Sequence, residues 1–319
     1  FKSFFYVKII IGDRMLQIIL LVLGLILLIV FSNIFVDSST SLANGFKIPK
    51  MVVALTIASF CTCAPELAVS FSSLENYDVS IANVIGSCIA NILLIIGIGS
   101  LIRPIKIETT TVKREIPLLI LSSISFCLLF LDGKLSRYDS LVLMLLFLLF
   151  CLYLYRMIKR FKKVEETDIK INKLKSFVLT IFSLFVIVIG SDLVVDSTLY
   201  LSSTYNIAPK LISMIVIVIG TSLPELMITI TSAKKGEFDM TVGNIVGSNI
   251  FNICIVLGLP ILIFGGVISS SFNYVDLFLL VLSPLLFYIF CKSKMTITRL
   301  EGAIMIFVFL LYYSYLIFF

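Results

Sequence analysis

The chain carries the sequence GTSLPE at Gly220–Glu225, and a related sequence, CTCAPE, lies 159 residues earlier at Cys61–Glu66. Both copies place a Pro-Glu pair inside a long apolar segment. A second motif also occurs twice, as NVIGSCIAN at Asn83–Asn91 and as NIVGSNIFN at Asn244–Asn252. The offset between the copies stays between 159 and 161 residues. The sequence therefore predicts two related halves, each with a polar motif inside apolar helices.

The rest of the chain is typical of a membrane protein. Of its 319 residues, 60% are hydrophobic and 14% are charged. Apolar runs of about 20 residues recur throughout, long enough to cross the hydrocarbon core as helices. We therefore predict an all-α integral membrane protein with ten transmembrane helices. The predicted spans are 15–36, 50–73, 79–102, 116–131, 138–158, 176–200, 209–233, 240–265, 274–291 and 299–318.

The longest polar stretch, 159–175, divides the spans into two sets of five. The predicted domains are thus a first repeat at 15–158, a linker loop at 159–175 and a second repeat at 176–319. Residues 1–14 are expected to form an N-terminal extension, with Met15 as a candidate natural start. Because five is odd, the second set enters the membrane from the opposite side, which predicts inverted repeats of the kind found in secondary transporters.

The distribution of basic residues predicts the orientation. Loops after the odd-numbered spans carry 19 Lys and Arg residues, whereas the other loops and both termini carry 6. Basic loops stay in the cytoplasm. We therefore expect a multi-pass protein of the cell membrane with a cytoplasmic 159–175 loop and both termini outside. The net charge of +6 reflects this bias, and we predict no nucleic-acid partner.

Glu66 and Glu225 are the acidic residues in the middle of long apolar spans. An unpaired carboxylate at the bilayer centre costs about 2.5–3.5 kcal/mol on insertion scales. No Lys or Arg lies at a comparable depth in the sequence, so either a proton or a mobile cation must neutralise each carboxylate. The pair predicts a cation site.

Backbone and polar side chains provide further oxygen donors. Pro65 and Pro224 lack an N–H group, so the carbonyls of Cys61 and Gly220 are expected to lose their helical donors and to be available to an ion.

The second motif adds hydroxyl and amide groups at i, i+4 spacing, which places Ser87 with Asn91, and Ser248 with Asn252, on one helix face. These hard oxygen donors suit Ca²⁺, and Na⁺ takes the same donors. Competition between the two ions for the two carboxylates would be the basis of exchange.

At these residues the chain resembles the calcium:cation antiporter superfamily, and specifically prokaryotic sodium/calcium exchangers. The family's GTSLPE motif is unaltered at Gly220–Glu225, and its GS-x-x-x-N motif occurs at Gly86–Asn91 and Gly247–Asn252. The resemblance implies an antiporter that exchanges Ca²⁺ for Na⁺ by alternating access, with these ions as substrates, the lipid bilayer as its surroundings, and no cofactor, enzymatic activity or obligate protein partner. The ligands that it implies are Glu66 and Glu225 for both ions, the carbonyls of Thr62 and Thr221 for calcium, Ser222, Ser87, Ser248 and the carbonyls of Ser59 and Val218 for sodium, and Asn91 and Asn252 at the central position.

Two positions depart from the family pattern. Cys63 replaces a serine, and a thiol is a poor ligand for a hard cation, so one sodium position is affected. Asn252 stands where potassium-dependent relatives carry Asp, which argues against potassium dependence. Both departures leave an alternative open, an antiporter that exchanges protons for Ca²⁺ or another divalent cation.

Two further classes fit the sequence less well. A channel usually builds its filter from several subunits on a symmetric axis. An intramembrane protease would need a catalytic dyad, and the chain contains no histidine to serve in one. An inverted repeat favours alternating access over both.

Overall fold

The computed structural model describes residues 2–72, 77–161, 172–204, 220–265, 267–268 and 274–318. The first half contains α1 Lys2–Phe46, α2 Lys50–Val53, π1 Ala54–Ala58, α3 Ser59–Thr62, α4 Ala64–Ser72, α5 Tyr77–Ala90, π2 Asn91–Ile96, α6 Gly97–Ile102, π3 Thr111–Glu115, α7 Ile116–Leu129 and α8 Arg137–Phe161, where π marks a π-helical segment. The second half contains α9 Lys173–Thr204, α10 Leu223–Lys235, α11 Phe238–Phe251, π4 Asn252–Leu257, α12 Gly258–Phe264, α13 Tyr274–Lys294 and α14 Arg299–Phe318.

Seven described helices are long and apolar enough to cross a membrane, and a bent pair adds an eighth. The bent pair joins Lys50–Thr62 to Ala64–Phe71 at an angle of 41°. The predicted span 116–131 corresponds to α7, which has only 14 residues. Of the predicted span 209–233, only the part from residue 220 is described. The helical multi-pass class is confirmed, whereas the described spans fall short of the ten predicted.

Two spans are longer than the sequence predicted. The helix expected at 15–36 continues to Phe46, and the helix expected at 176–200 covers 173–204. The first extends through a polar segment because Ser38 and Ser39 each donate to a backbone carbonyl of the preceding turn, at 3.2 Å. Both hydroxyl groups thus have a hydrogen-bond acceptor in the same helix, and the helix continues through these polar residues.

The spans differ strongly in burial. In the most apolar window of each span, 78% of Ser80–Ile102 and 89% of Phe238–Phe264 is buried inside the protein, against 17% of Arg137–Arg160. The first two are central helices, and each carries one copy of the Asn-containing motif. The outer helices expose large apolar side chains such as Leu145 and Leu148, as expected for surfaces that contact lipid.

Small residues allow close packing between the halves. A Cβ atom on Gly24 of α1 would lie 2.7 Å from the carbonyl oxygen of Gly190 of α9. A Cβ atom on Gly247 of α11 would lie 2.9 Å from the Cα of Leu55 in π1. Glycine permits these backbone approaches because it has no side chain.

Four two-residue strands connect the loops of the two halves, a feature that the all-helical prediction did not include. Strand β1, Ile105–Lys106, pairs antiparallel with β4, Thr296–Ile297. Strand β2, Lys134–Leu135, pairs antiparallel with β3, Val267–Ile268. Each pair joins a loop of the first half to a loop of the second.

Candidate cation site

Both Pro-Glu motifs begin a helix after a break, in the same local geometry. Cys63 ends α3 with φ −80° and ψ 5°, and Ser222 precedes α10 with φ −89° and ψ 7°. The proline that follows sits in the first turn, where its missing N–H removes no helical hydrogen bond. Glu66 and Glu225 therefore lie in the first turns of α4 and α10, where the helix dipole favours negative charge.

Glu66 and Glu225 are both fully buried. Oε1 of Glu66 lies 3.5 Å from Ser87 Oγ, and Oε1 of Glu225 lies 3.4 Å from Ser248 Oγ. Within the described residues, Oε2 of each glutamate has no hydrogen-bond partner, and neither carboxylate forms an ion pair with Lys or Arg. A buried carboxylate without a partner is strongly unfavourable, so the pair requires positive charge from a cation or a proton.

Hydroxyl contacts connect the two halves around these carboxylates. Ser87 Oγ lies 3.4 Å from Thr221 Oγ1, and Thr62 Oγ1 lies 3.3 Å from Ser248 Oγ. Each carboxylate is therefore contacted by a serine of its own half, and that serine contacts a threonine of the other half, so the candidate site lies between the halves.

Cys63 places sulfur directly against the second carboxylate. Its Sγ lies 3.7 Å from Oε1 of Glu225 and 3.6 Å from the carbonyl oxygen of Ser248. The thiol is fully buried. The equivalent position of the second half is Ser222, whose buried hydroxyl is without a hydrogen-bond partner in the part of the chain that the structure describes. The departure from the family pattern therefore lies in the site itself.

The amides form a second polar layer. Asn91 donates from Nδ2 to Oδ1 of Asn249 at 3.0 Å, and Asn249 donates from Nδ2 to the carbonyl oxygen of Cys88 at 3.1 Å. Asn252 is fully buried, and neither of its side-chain polar atoms is bonded to a described residue. The sequence analysis missed Asn249, although the motif places it where the first copy has Cys88.

Two further asparagines close to the site were also missed. Asn83 Oδ1 accepts a hydrogen bond from Thr221 Oγ1 at 3.4 Å. Asn244 is fully buried, and its amide oxygen and nitrogen are both unpaired in the described structure. Both residues open a copy of the repeated motif, so their recurrence was the available signal.

The backbone carbonyls are less available than the sequence predicted. The carbonyl of Gly220, expected to lose its helical donor, accepts a hydrogen bond from Ser191 Oγ at 2.9 Å, which occupies one of its two lone pairs. The carbonyl of Ser59 accepts the backbone N–H of Cys63 at 3.1 Å. Val218, the other predicted carbonyl ligand, lies outside the described residues.

The donors gathered here are two carboxylates, several hydroxyls and several amides. Such hard oxygen donors suit Ca²⁺ and Na⁺. Among the described residues no three His, Cys, Asp or Glu side chains form a group that could hold a metal ion, so a bound ion would also need the hydroxyl and amide oxygens. The fold defines a multi-pass membrane protein, and it places two buried carboxylates and a set of oxygen donors, a candidate ion site, between the halves.

The comparisons with known proteins agree with this class. The family model described as "Sodium/calcium exchanger protein" matches residues 16–156 and 175–318, and the chain belongs to that family of cation antiporters, which are transporters and not enzymes. It is 32% identical to the inner membrane protein YrbG of Escherichia coli (strain K12) over 287 residues, covering 86% of this chain and 88% of YrbG. It is 27% identical to the sodium/calcium exchanger MaX1 of Methanosarcina acetivorans over 330 residues, covering 90% and 94% of the two chains. A solved structure of the sodium-calcium exchanger NCX_Mj matches with a TM-score of 0.83 and 31% identity, covering 94% of this chain and 99% of that one.

Proposed function

We propose that this protein exchanges Ca²⁺ for Na⁺ across the cell membrane by alternating access, with Glu66 and Glu225 holding the ions. One observation carries the proposal. Two fully buried carboxylates each have an oxygen without a partner, and neither forms an ion pair within the described chain. The family's name and the names of MaX1 and NCX_Mj support Na⁺ and Ca²⁺ as the substrates.

The charge of the site explains why exchange would be obligatory. Two carboxylates balance one Ca²⁺ or two Na⁺, and both kinds of ion need the same oxygens. Binding of one therefore displaces the other. The remaining ligands that we propose are Thr62, Thr221, Ser222, Ser87, Ser248, Asn91 and Asn252, with the carbonyls of Ser59 and Val218.

Contacts from both halves would link ion binding to the arrangement of the halves. Each glutamate is contacted by a serine of its own half, and that serine contacts a threonine of the other half. An ion held by both carboxylates would bridge the halves, and its differential affinity for two arrangements would shift their populations.

We also propose that the ten spans form two inverted five-helix repeats. Strands β1 and β3 begin 162 residues apart, at 105 and 267, and so do β2 and β4, at 134 and 296. The residue pairs follow the same offset. Ile105 pairs with Ile297, and the residues 162 positions after Ile105 and 162 before Ile297, Val267 and Leu135, also pair. The offset therefore relates one strand pair to the other in the same register. A two-fold axis in the membrane plane produces such a relation.

Two helical segments are candidates for the remaining spans. π3 and α7 together cover 111–129, and α10 is the described end of the predicted span 209–233. With these two, the seven spans and the bent pair make ten. The proposed repeats are 15–158 and 176–319, joined by the 159–175 loop.

The strand pairs also agree with the proposed orientation. β1 and β4 follow the third and ninth predicted spans, whereas β2 and β3 follow the fourth and eighth. Each pair therefore joins loops that the ten-span topology puts on the same side of the membrane. We propose that the β1–β4 side is cytoplasmic and that both termini are outside.

Transport into proteoliposomes tests the coupling ion. Purified protein is reconstituted, and uptake of radioactive Ca²⁺ is measured with an outward Na⁺ gradient, with a pH gradient of equal size, and with neither. We expect the Na⁺ gradient to drive uptake. Uptake with the pH gradient alone would reject Na⁺ coupling, and no uptake with either would reject Ca²⁺ exchange.

A proton-coupled exchanger of Ca²⁺ or another divalent cation is the second candidate. It is favoured by Cys63, whose sulfur contacts Glu225 where the equivalent residue of the other half is a serine. That replacement removes a hard oxygen donor from one Na⁺ position. A proton on a glutamate would then neutralise the site during the return step.

A further inference from the structure

Cys63 is not among the ligands proposed above for Na⁺ or Ca²⁺, yet its sulfur faces the groups proposed to bind the ions. Cys63 Sγ lies 3.7 Å from Glu225 Oε1, and both side chains are fully buried. The second oxygen of that carboxylate has no partner among the described residues. The Cys63 sulfur therefore lies next to the Glu225 carboxylate, which has a buried oxygen available for a cation.

This contact is specific to one cysteine. All seven cysteines of the chain are described and none forms a disulfide. Cys88 Sγ is directed at the carbonyl of Asn249, at 3.8 Å, and Cys127 Sγ at the carbonyl of Leu277, at 3.5 Å. In the described structure, Cys63 is the cysteine whose sulfur is hydrogen-bonded to a carboxylate.

A sulfur ligand changes the metal preference of an otherwise hard site. Thiolates favour soft metals, whereas carboxylates bind hard and soft divalent cations alike. Cd²⁺ has the charge of Ca²⁺ and nearly its size, so it fits the same cavity and oxygen donors. It gains a strong bond to sulfur that Ca²⁺ does not.

We propose that the ion site binds soft divalent cations of the Cd²⁺ class more tightly than Ca²⁺, with the Cys63 sulfur and the Glu225 carboxylate as joint ligands. This inference rests on the proposed function, because it assigns a further substrate class to the same site. When the metal binds, the metal–sulfur bond forms and the thiol proton leaves to solvent, so one proton is released at Cys63. The residue equivalent to Cys63 in the second half is Ser222, which has a hydroxyl and no sulfur. The sulfur ligand is therefore present only next to Glu225 among these two positions.

Inhibition of Ca²⁺ uptake in proteoliposomes tests the proposal. Cd²⁺ is titrated against the wild-type protein, Cys63→Ser and Cys151→Ser, with Sr²⁺ as a hard cation of the same charge. Cys151 is an exposed thiol of α8 and serves as the control. In Cys63→Ser we expect the Cd²⁺ concentration for half-inhibition to rise at least about tenfold, the size of effect seen when a group that supports metal binding is removed. The Sr²⁺ concentration for half-inhibition should not change. Cys151→Ser should match the wild type.

Equal Cd²⁺ inhibition of Cys63→Ser and wild type, each measured relative to its own Ca²⁺ uptake without Cd²⁺, would overturn this inference and leave the proposed exchange standing. A wild-type protein without Ca²⁺ uptake would instead reject the proposed exchange. A second measurement does not depend on transport, namely the ultraviolet sulfur-to-cadmium charge-transfer band of the purified Cys151→Ser protein. We expect Cd²⁺ to produce this band in the Cys151→Ser protein and to produce none when Cys63→Ser is added to it. An equal band in both proteins would overturn the inference.

Discussion

Replacement of Glu225 by glutamine removes one of the two carboxylates and keeps the size of the side chain. Among the described residues, the hydrogen bonds to this carboxylate are long, 3.4 Å from Ser248 Oγ and 3.7 Å from Cys63 Sγ, and its Oε2 has no partner. Glutamine therefore loses no strong hydrogen bond, and the ion-free protein no longer buries an uncompensated charge. We expect ion-free Glu225→Gln to be at least as stable as the wild type.

The ion-bound state behaves in the opposite way. Removal of one member of a buried pair of opposite charges costs about 3–5 kcal/mol. At 1.4 kcal/mol for each factor of ten, Ca²⁺ should bind roughly 100- to 5000-fold more weakly. Radioactive Ca²⁺ uptake into proteoliposomes should then fall below detection.

Thermal unfolding provides the second measurement. Ca²⁺ at about 100 times the wild-type dissociation constant should stabilise the wild type by about 2.7 kcal/mol, whereas Glu225→Gln should be stabilised by at most about 0.4 kcal/mol at that concentration. Glu115→Gln is a matched control, since Glu115 is also fully buried, bonds Tyr153 and has an Oε2 unpaired in the described structure, but is not part of the site. Near-normal uptake in Glu225→Gln would refute the reasoning. Equal loss in Glu115→Gln would show that any buried carboxylate has this effect.

Three other substitutions test packing and ion selectivity. Gly247→Ala would place a Cβ atom against its nearest neighbour, Ser59 Oγ, and 2.9 Å from Leu55 Cα, so we expect a loss of about 1–3 kcal/mol in thermal unfolding. Gly258→Ala, whose Cβ atom would lie 3.5 Å from its nearest neighbour, should cost less. Asn252→Asp adds a third negative charge, and should lower the Ca²⁺ concentration for half-maximal uptake; an unchanged value would place the side chain away from the ion. Cys63→Ser restores a hydroxyl, and should increase the apparent Na⁺ affinity in flux measurements, so an unchanged Na⁺ dependence would exclude that position from a sodium site.

The sequence was most informative where a polar group recurs inside apolar helices. Glu66 and Glu225 each have a serine four residues before an asparagine in the next motif, and the structure brings each glutamate into contact with that serine. The repeat made the shared site predictable, because a buried carboxylate is energetically costly and is not expected to recur at two equivalent positions unless both serve the same function. Their role as ion ligands remains a prediction.

Contacts between distant helices left no comparable pattern. The carbonyl of Gly220 is satisfied by Ser191, 29 residues earlier on α9, and a lone serine near a span end has many possible partners. The hydrogen bond from Asn91 to Asn249 also spans the two halves. Such pairings depend on how helices pack, which periodicity along one helix does not determine.

Short strands and helix ends were unpredictable for another reason. A two-residue strand such as β1 is too short to show an alternating pattern. α1 passes through Ser38 and Ser39 because each hydroxyl bonds a carbonyl of its own helix, whereas hydropathy alone ends the span at 36. Both errors arise where local hydrogen bonds decide the structure and the average composition does not.

Among the polar side chains of the candidate site, two pairs of equivalent positions differ between the copies, and both differences place a cysteine in the first half. Cys63 corresponds to Ser222, and Cys88 to Asn249. In the proposed inverted repeat, inward-open and outward-open states are related by exchange of the conformations of the halves, so identical halves would give the two states equal energy. A difference between equivalent residues therefore acts on the balance between the states as well as on the ion. Cys63→Ser should accordingly change the ratio of Na⁺ affinities on the two membrane sides, because it makes the equivalent residues 63 and 222 identical.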